Sequence, residues 1–133
     1  MTISRLILET GMGNDLYGED YTKAACRAVQ DAIHHSSITL FRSLNLSSKK
    51  MQVRVTIGVV KPNKVNADIV KNTLPHGVVS VTVVPGGLNV NDEENGTLSI
   101  IATAAIEAFY DIDKQGFKKI IKFCLRHIAI LAK

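Results

Sequence analysis

Residues 9–23 read Glu9-Thr10-Gly11-Met12-Gly13-Asn14-Asp15-Leu16-Tyr17-Gly18-Glu19-Asp20-Tyr21-Thr22-Lys23. The stretch leaves an apolar segment, passes three glycines and four carboxylates (Glu9, Asp15, Glu19, Asp20), and enters a helical pattern. Strand, glycine-bearing loop, helix is the order in which backbone N–H groups and a helix N-terminus gather around a ligand. The sequence therefore predicts a strand over residues 2–9, a loop across the glycines, and a helix over 21–35 with Asp20 as its N-cap. On that helix Ala25, Ala28, Val29, Ala32 and Ile33 share one face, small enough to lie close to a sheet.

Working outward, the clearest strand is 51–60, where Val53, Val55, Ile57 and Val59 alternate with Gln52, Arg54, Thr56 and Gly58. Asn66 is placed to cap a short helix at about 67–73, and Pro75-His76-Gly77 turns the chain into a strand over 78–84. Pro85-Gly86-Gly87 ends that strand, and the polar run from Asn89 to Gly96 reads as a loop. Residues 97–109 fit period two while their alanines also suit a helix; alternation and β-branching assign a strand. Residues 36–50 carry an apolar patch that suggests a short helix. Phe117, Ile120, Ile121, Cys124, Ile128 and Leu131 form the stripe of a last helix, about 114–132. The expected fold is α+β: a single sheet of about four strands with helices packed on one face, in the order β-α-β-α-β-β-α. Residues 1–111 form one domain in this reading, and 112–133 a basic amphipathic helix packed on it or extending from it.

A chain of 133 residues can bury a core without staples. No run approaches the roughly 18 apolar residues that span a bilayer. The N-terminus lacks the charged and apolar regions of a secretory signal, and Cys26 and Cys124 fit no ligand pattern, which together predict reduced thiols and a cytoplasmic location. Residues 114–133 hold six of the sixteen basic residues and no acid, which leaves ten basic and twelve acidic groups in residues 1–113. The net charge of +4 is thus a property of the tail. With no aromatic residue interleaved on its polar face, a solvated surface explains that tail better than nucleic acid or a membrane does.

Gly11-x-Gly13 has Leu16 where the dinucleotide fingerprint needs its third glycine, and no Gly-Lys-Ser/Thr follows. Four carboxylates also repel a bare phosphate. They suit a cation, a ligand with hydrogen-bond donors, or acid–base work by one carboxylate with a shifted pKa. The plainer alternative is a tight turn whose Asp15 and Asp20 only cap backbone groups. Adjacent His34 and His35 point about 100° apart on a helix, and the helix dipole accounts for them without a metal. His76, in a turn, and Lys61, held between a strand and Pro62, are further candidates for contact with a ligand.

The motif Gly11-Met12-Gly13-Asn14-Asp15-Leu16-Tyr17-Gly18 resembles the Gly-x-Gly-x-Asp-x-His-Gly signature of a small family of uncharacterised proteins of bacteria and plants. The resemblance continues through Asp20, Thr22, Arg27-Ala28-Val29 and Ala32-Ile33, and resumes at Gly58-Val59, Lys61-Pro62, Pro75-x-Gly77 and Val83-Val84-x-Gly86-Gly87-Leu88. It covers about residues 3–110. Tyr17 replaces the family's His, and the helix after residue 112 lies beyond the family's usual end. The resemblance implies the fold and the place of a site, and no reaction.

Together these readings predict a cytoplasmic homo-oligomer that binds a small polar metabolite at a subunit-interface pocket around the 9–23 loop. Glu9 and Asp15 are the catalytic candidates, and Gly11, Gly13, Gly18, Asp20, Thr22, Lys61 and His76 the ligand-binding ones. No metal site and no particular cofactor is indicated. Hydrolysis is a candidate chemistry, by analogy with cyclic-amide hydrolases built from repeated α+β units. The competing reading is a non-catalytic oligomeric binding or assembly protein that uses the C-terminal helix.

Overall fold

The computed structural model describes residues 3–35 and 47–111, together with Lys122, Leu125 and Arg126. Five strands form one sheet: β1 (Ile3–Asp15), β2 (Gln52–Val59), β3 (Val78–Pro85), β4 (Leu88–Asp92) and β5 (Thr97–Asp111). The order is β1-β5-β2-β3, with β4 also pairing β5. Strands β2 and β3 are parallel and every other pair is antiparallel. Two α-helices accompany the sheet among the described residues, α1 (Tyr21–His34) and α2 (Ala67–Lys71).

The expected four-stranded, helix-covered α+β sheet is therefore corrected. Strands of 13, 8, 8, 5 and 15 residues outweigh α-helices of 14 and 5, and the fold is a mixed, sheet-dominated one. Two local misreadings account for the difference. Leu88-Asn89-Val90-Asn91-Asp92 looks like a polar loop, yet it pairs with residues 97–101 of β5. Its Asn89 Nδ2 donates to Tyr21 Oη at 2.7 Å, which satisfies the donor end of an amide turned toward the core. Strand β1, meanwhile, runs on through both glycines to Asp15.

The glycines serve packing. Side chains alternate across a strand, so Glu9, Gly11, Gly13 and Asp15 share the face that meets α1. A Cβ at Gly11 would strike Ala28 O and Ala32 N, and one at Gly13 would strike Ala28 N and Ala24 O. The alanine face of α1 thus lies directly on bare strand backbone. Ala24, Ala25, Ala28, Val29 and Ala32 are fully buried there, with Val55, Ile57 and Val59 of β2 and Ile100 and Ala102 of β5 in the same core.

The caps agree with the sequence. Asp20 Oδ1 accepts from Lys23 N at 3.0 Å at the head of α1, and Asn66 Oδ1 accepts from Asp68 N and Ile69 N at the head of α2. The strands expected at 51–60, 78–84 and 97–109 are β2, β3 and β5. The apolar patch of 36–50 lies largely outside the described residues, with a 3₁₀ turn at Ser48–Lys50 at its end. The final helix also lies mostly outside them; Lys122, Leu125 and Arg126 are helical and exposed.

Candidate functional site

Asp15 ends β1 with its side chain buried, at 3% exposure. Its Oδ2 accepts from Asp20 N at 3.0 Å, and its Oδ1 lies 3.5 Å from Lys23 Nζ and 3.7 Å from Arg27 Nη1. The hydrogen bond from Asp20 N holds its pKa below the usual carboxylate value; burial opposes this, and the Lys23 and Arg27 charges reinforce it. Arg27 Nη1 also donates to Asn14 O at 2.7 Å. Asp15 is thus the anchor that folds the β1–α1 loop back onto the helix. Gly18 faces the same carboxylate, which a Cβ there would meet at 2.6 Å.

The neighbouring candidates are engaged in similar ways. Asp20 caps α1, and Thr22 Oγ1 accepts from Asn66 N at 2.9 Å, tying α1 to the start of α2. Lys61 is exposed just before the 3₁₀ turn Pro62–Lys64. His35 Nε2, at the C-cap of α1, lies 3.5 Å from Oδ1 of the half-buried Asp31. Among the described residues no three His, Cys, Asp or Glu side chains come together as a metal site.

Glu9 lies elsewhere. It precedes Asp15 by six residues on one strand face, a separation of about 20 Å at strand rise. One small substrate cannot touch both carboxylates. Glu9 lines a cavity of about 80 Å³ between α1 and the sheet, and His76 lines the same cavity. Its other walls are apolar, among them Ile7, Ile33, Val53, Leu74, Pro75 and Ile106.

Local structure explains how His76 reaches this place. Val78 N donates to Met51 O at 2.8 Å, which pins the end of the turn to the start of β2. Gly77, at φ +92, supplies the left-handed backbone that the tight approach to Met51 O requires. The turn therefore delivers His76 to the cavity rim from one side, while β1 delivers Glu9 from the other. The combination is an apolar recess with one carboxylate and one imidazole in its lining.

Of the nine residues expected from sequence to form a site, Glu9 and His76 are brought together. Asp15, Gly18 and Asp20 gather at the opposite end of β1. Gly11 and Gly13 are covered by α1, and Thr22 and Lys61 flank the helix junction. Sequence reasoning missed the cavity walls, because Ile7, Val53, Leu74 and Ile106 meet only through the strand order. The one signal available was the Pro-His-Gly turn.

A family model described as conserved hypothetical protein (Lin0512_fam) matches residues 5–108. The crystal structure of an FtsZ-like protein of unknown function from Nostoc punctiforme is similar, with a TM-score of 0.74 and 33% sequence identity over 84% of this chain and 99% of that one. No curated protein matches. Among the described residues no helix is long and apolar enough to cross a membrane.

Proposed function

We propose that this chain, which belongs to the Lin0512 family of conserved hypothetical proteins, binds a small, mostly apolar molecule with one polar head in the cavity between α1 and the sheet. The observation that carries the reading is the convergence of Glu9 and His76, from opposite halves of the chain, on one apolar recess. An apolar recess with a few convergent polar groups is the default place for a ligand, and about 80 Å³ suits only a small group. The head group this pair suits is a hydrogen-bond donor or a cation for the Glu9 carboxylate, with an acceptor within reach of the imidazole.

This reading keeps Glu9 and His76 of the residues expected from sequence, sets aside the Asp15 end of the 9–23 stretch, and narrows the ligand from a polar metabolite to an amphiphilic one. If the pocket also does chemistry, Glu9 and His76 are the acid–base pair, and hydrolysis of a polar head is the reaction class they suit. Asp15 does not fit that role. A carboxylate held ionised by Asp20 N, Lys23 and Arg27 is a weak base and no acid near neutral pH.

The test is a ligand-observed NMR screen with fragments that join a short alkyl or ring group to an amine, amide or alcohol. Binding that weakens on Glu9→Gln and on His76→Ala, with Asp15→Asn unchanged, supports the proposal. Binding that is insensitive to the first two changes counts against it.

A second reading rests on the tail. Lys122, Leu125 and Arg126 are helical and exposed, which presents two cations and an apolar side chain together. An assembly role for this helix predicts that deleting residues 114–133 lowers oligomer mass while the fold survives.

A further inference from the structure

The side of the sheet away from α1 is uncovered by either α-helix of the described residues. The register places Leu8, Met12, Thr56, Thr82, Thr103 and Ala105 on that side, with Val78, Val84, Leu88 and Val90 at its margins. A half-solvated antiparallel sheet ordinarily turns polar side chains to water. Here five large apolar residues stand out instead: Leu8, Met12, Val78, Leu88 and Val90, each 46 to 66% exposed. Leu8 and Met12 on β1, Val78 at the start of β3 and Leu88 and Val90 on β4 frame a centre of threonine and alanine side chains, more apolar surface than a sheet facing water needs.

We infer that this face is where a second copy of the chain packs, sheet against sheet. Three observations select that occupant. The first is area. Strands about 4.8 Å apart, rising about 3.3 Å per residue, give the face a flat footprint of about 700 Å². Side-chain relief raises this toward the roughly 800 Å² per partner that a stable dimer buries.

The second is charge. Along β2, β3 and residues 103–109 of β5, only Arg54 and Glu107 carry charge on this side. Glu107 Oε2 accepts from Arg5 Nη1 at 3.1 Å, and the Arg54 guanidinium lies 4.5 Å above the Phe109 ring. The face thus carries few charges, with Arg5 and Glu107 paired to each other, Arg54 stacked on a ring and Asp92 of β4 bonded to Asn95, and it offers little to a strongly charged ligand.

The third is shape. A trough of about 640 Å³ borders the face, lined by Thr10, Met12, Thr56, Val84 and Thr103 together with Asp31 of α1, whose Oδ2 accepts from Met12 N at 2.9 Å. Gly58 contributes no side chain to the floor, Thr103 Oγ1 and the Gly86–Gly87 backbone close over it, and Met12 stands exposed at the trough's edge. Under a two-fold axis the Met12 ridge of each copy enters the trough of the other, which is the reciprocal contact an isologous interface requires.

The experiment is light scattering coupled to size exclusion on the full chain, with an amide chemical-shift dilution series on the same protein. The inference expects a species of at least twice the 14.5 kDa chain mass. It expects Met12→Lys and Thr103→Lys to move that species to the monomer while the far-ultraviolet dichroism is kept. Dilution shifts fall on Leu8, Met12, Thr56, Val84 and Leu88. A wild-type monomer at high micromolar concentration overturns it, as does an oligomer unmoved by both folded variants. Dilution shifts confined to Lys122, Leu125 and Arg126 also overturn it, and they are decisive even if the variants fail to fold.

Discussion

Gly13 of β1 lies against the backbone of Ala28 in α1, so closely that a methyl group added to Gly13 would run into Ala28 N and Ala24 O. Helix and strand backbones meet here with only alanine between them, and the position of every residue on α1 depends on that contact. Gly13→Ala must lift the helix, because both obstructing atoms are backbone and cannot rotate away. Overpacking of this kind costs about 3 kcal/mol. Gly96→Ala is the control: Gly96 sits at φ +62 with nothing near its missing Cβ, so only backbone strain of about 1 kcal/mol applies. Urea denaturation of the two variants should show the larger loss for Gly13→Ala.

Asp15→Asn should destabilise the protein by about 1–2 kcal/mol at neutral pH, through loss of a charge-assisted hydrogen bond and two ion pairs. Lys23 and Arg27 are about half exposed, 52 and 47%, so solvent screens both pairs and keeps the figure modest. Thermal denaturation at low and high salt checks it, with the gap between variant and wild type narrowing as salt rises.

The same residue predicts a pH dependence. Its native pKa lies below the unfolded value near 3.8, so between the two values the unfolded state binds more protons. The contribution is present above about pH 4 and is lost as pH falls through the native pKa. Asp92, whose pKa is also lowered by the Asn95 side chain and backbone, adds acid sensitivity of the same sign. The informative quantity is therefore the difference between wild type and Asp15→Asn. That difference should shrink as pH falls below 4, measured by denaturation at fixed temperature. A difference that holds constant into acid would show that the carboxylate charge plays no part.

Tyr21→Phe tests the tie between α1 and β4. It removes the acceptor for Asn89 Nδ2 and leaves a buried amide whose Oδ1 has no partner among the described residues either. A cost of about 1–3 kcal/mol follows from the unsatisfied donor. Hydrogen exchange should accelerate in β4 more than in β2.

These positions also show what the sequence could and could not convey. Caps are local chemistry, so Asp20 and Asn66 were legible as helix starts. The alternation of Val53, Val55, Ile57 and Val59 disclosed β2, and the Ile and Thr content of 97–109 decided correctly for β5. Gly11 and Gly13 misled because glycine is a turn signal when only neighbours are considered. Here the requirement comes from Ala28 and Ala32, which strand β1 meets only after folding. β4 was missed because its asparagines resemble a loop until Tyr21 is there to receive one of them. Glu9 was legible as a carboxylate of interest and His76 as a turn residue, while their meeting in one cavity needed the strand order that no local pattern encodes.

The central claim is that the ligand site lies between α1 and the sheet, at Glu9 and His76, and not in the loop at Asp15. Amide chemical-shift mapping with a binding fragment from the screen tests it most directly. The account predicts shifts at Ile7, Glu9, Ile33, Val53 and Leu74–His76, with residues 15–20 still. Shifts gathered at Asp15–Lys23, with the cavity residues unmoved, would contradict it.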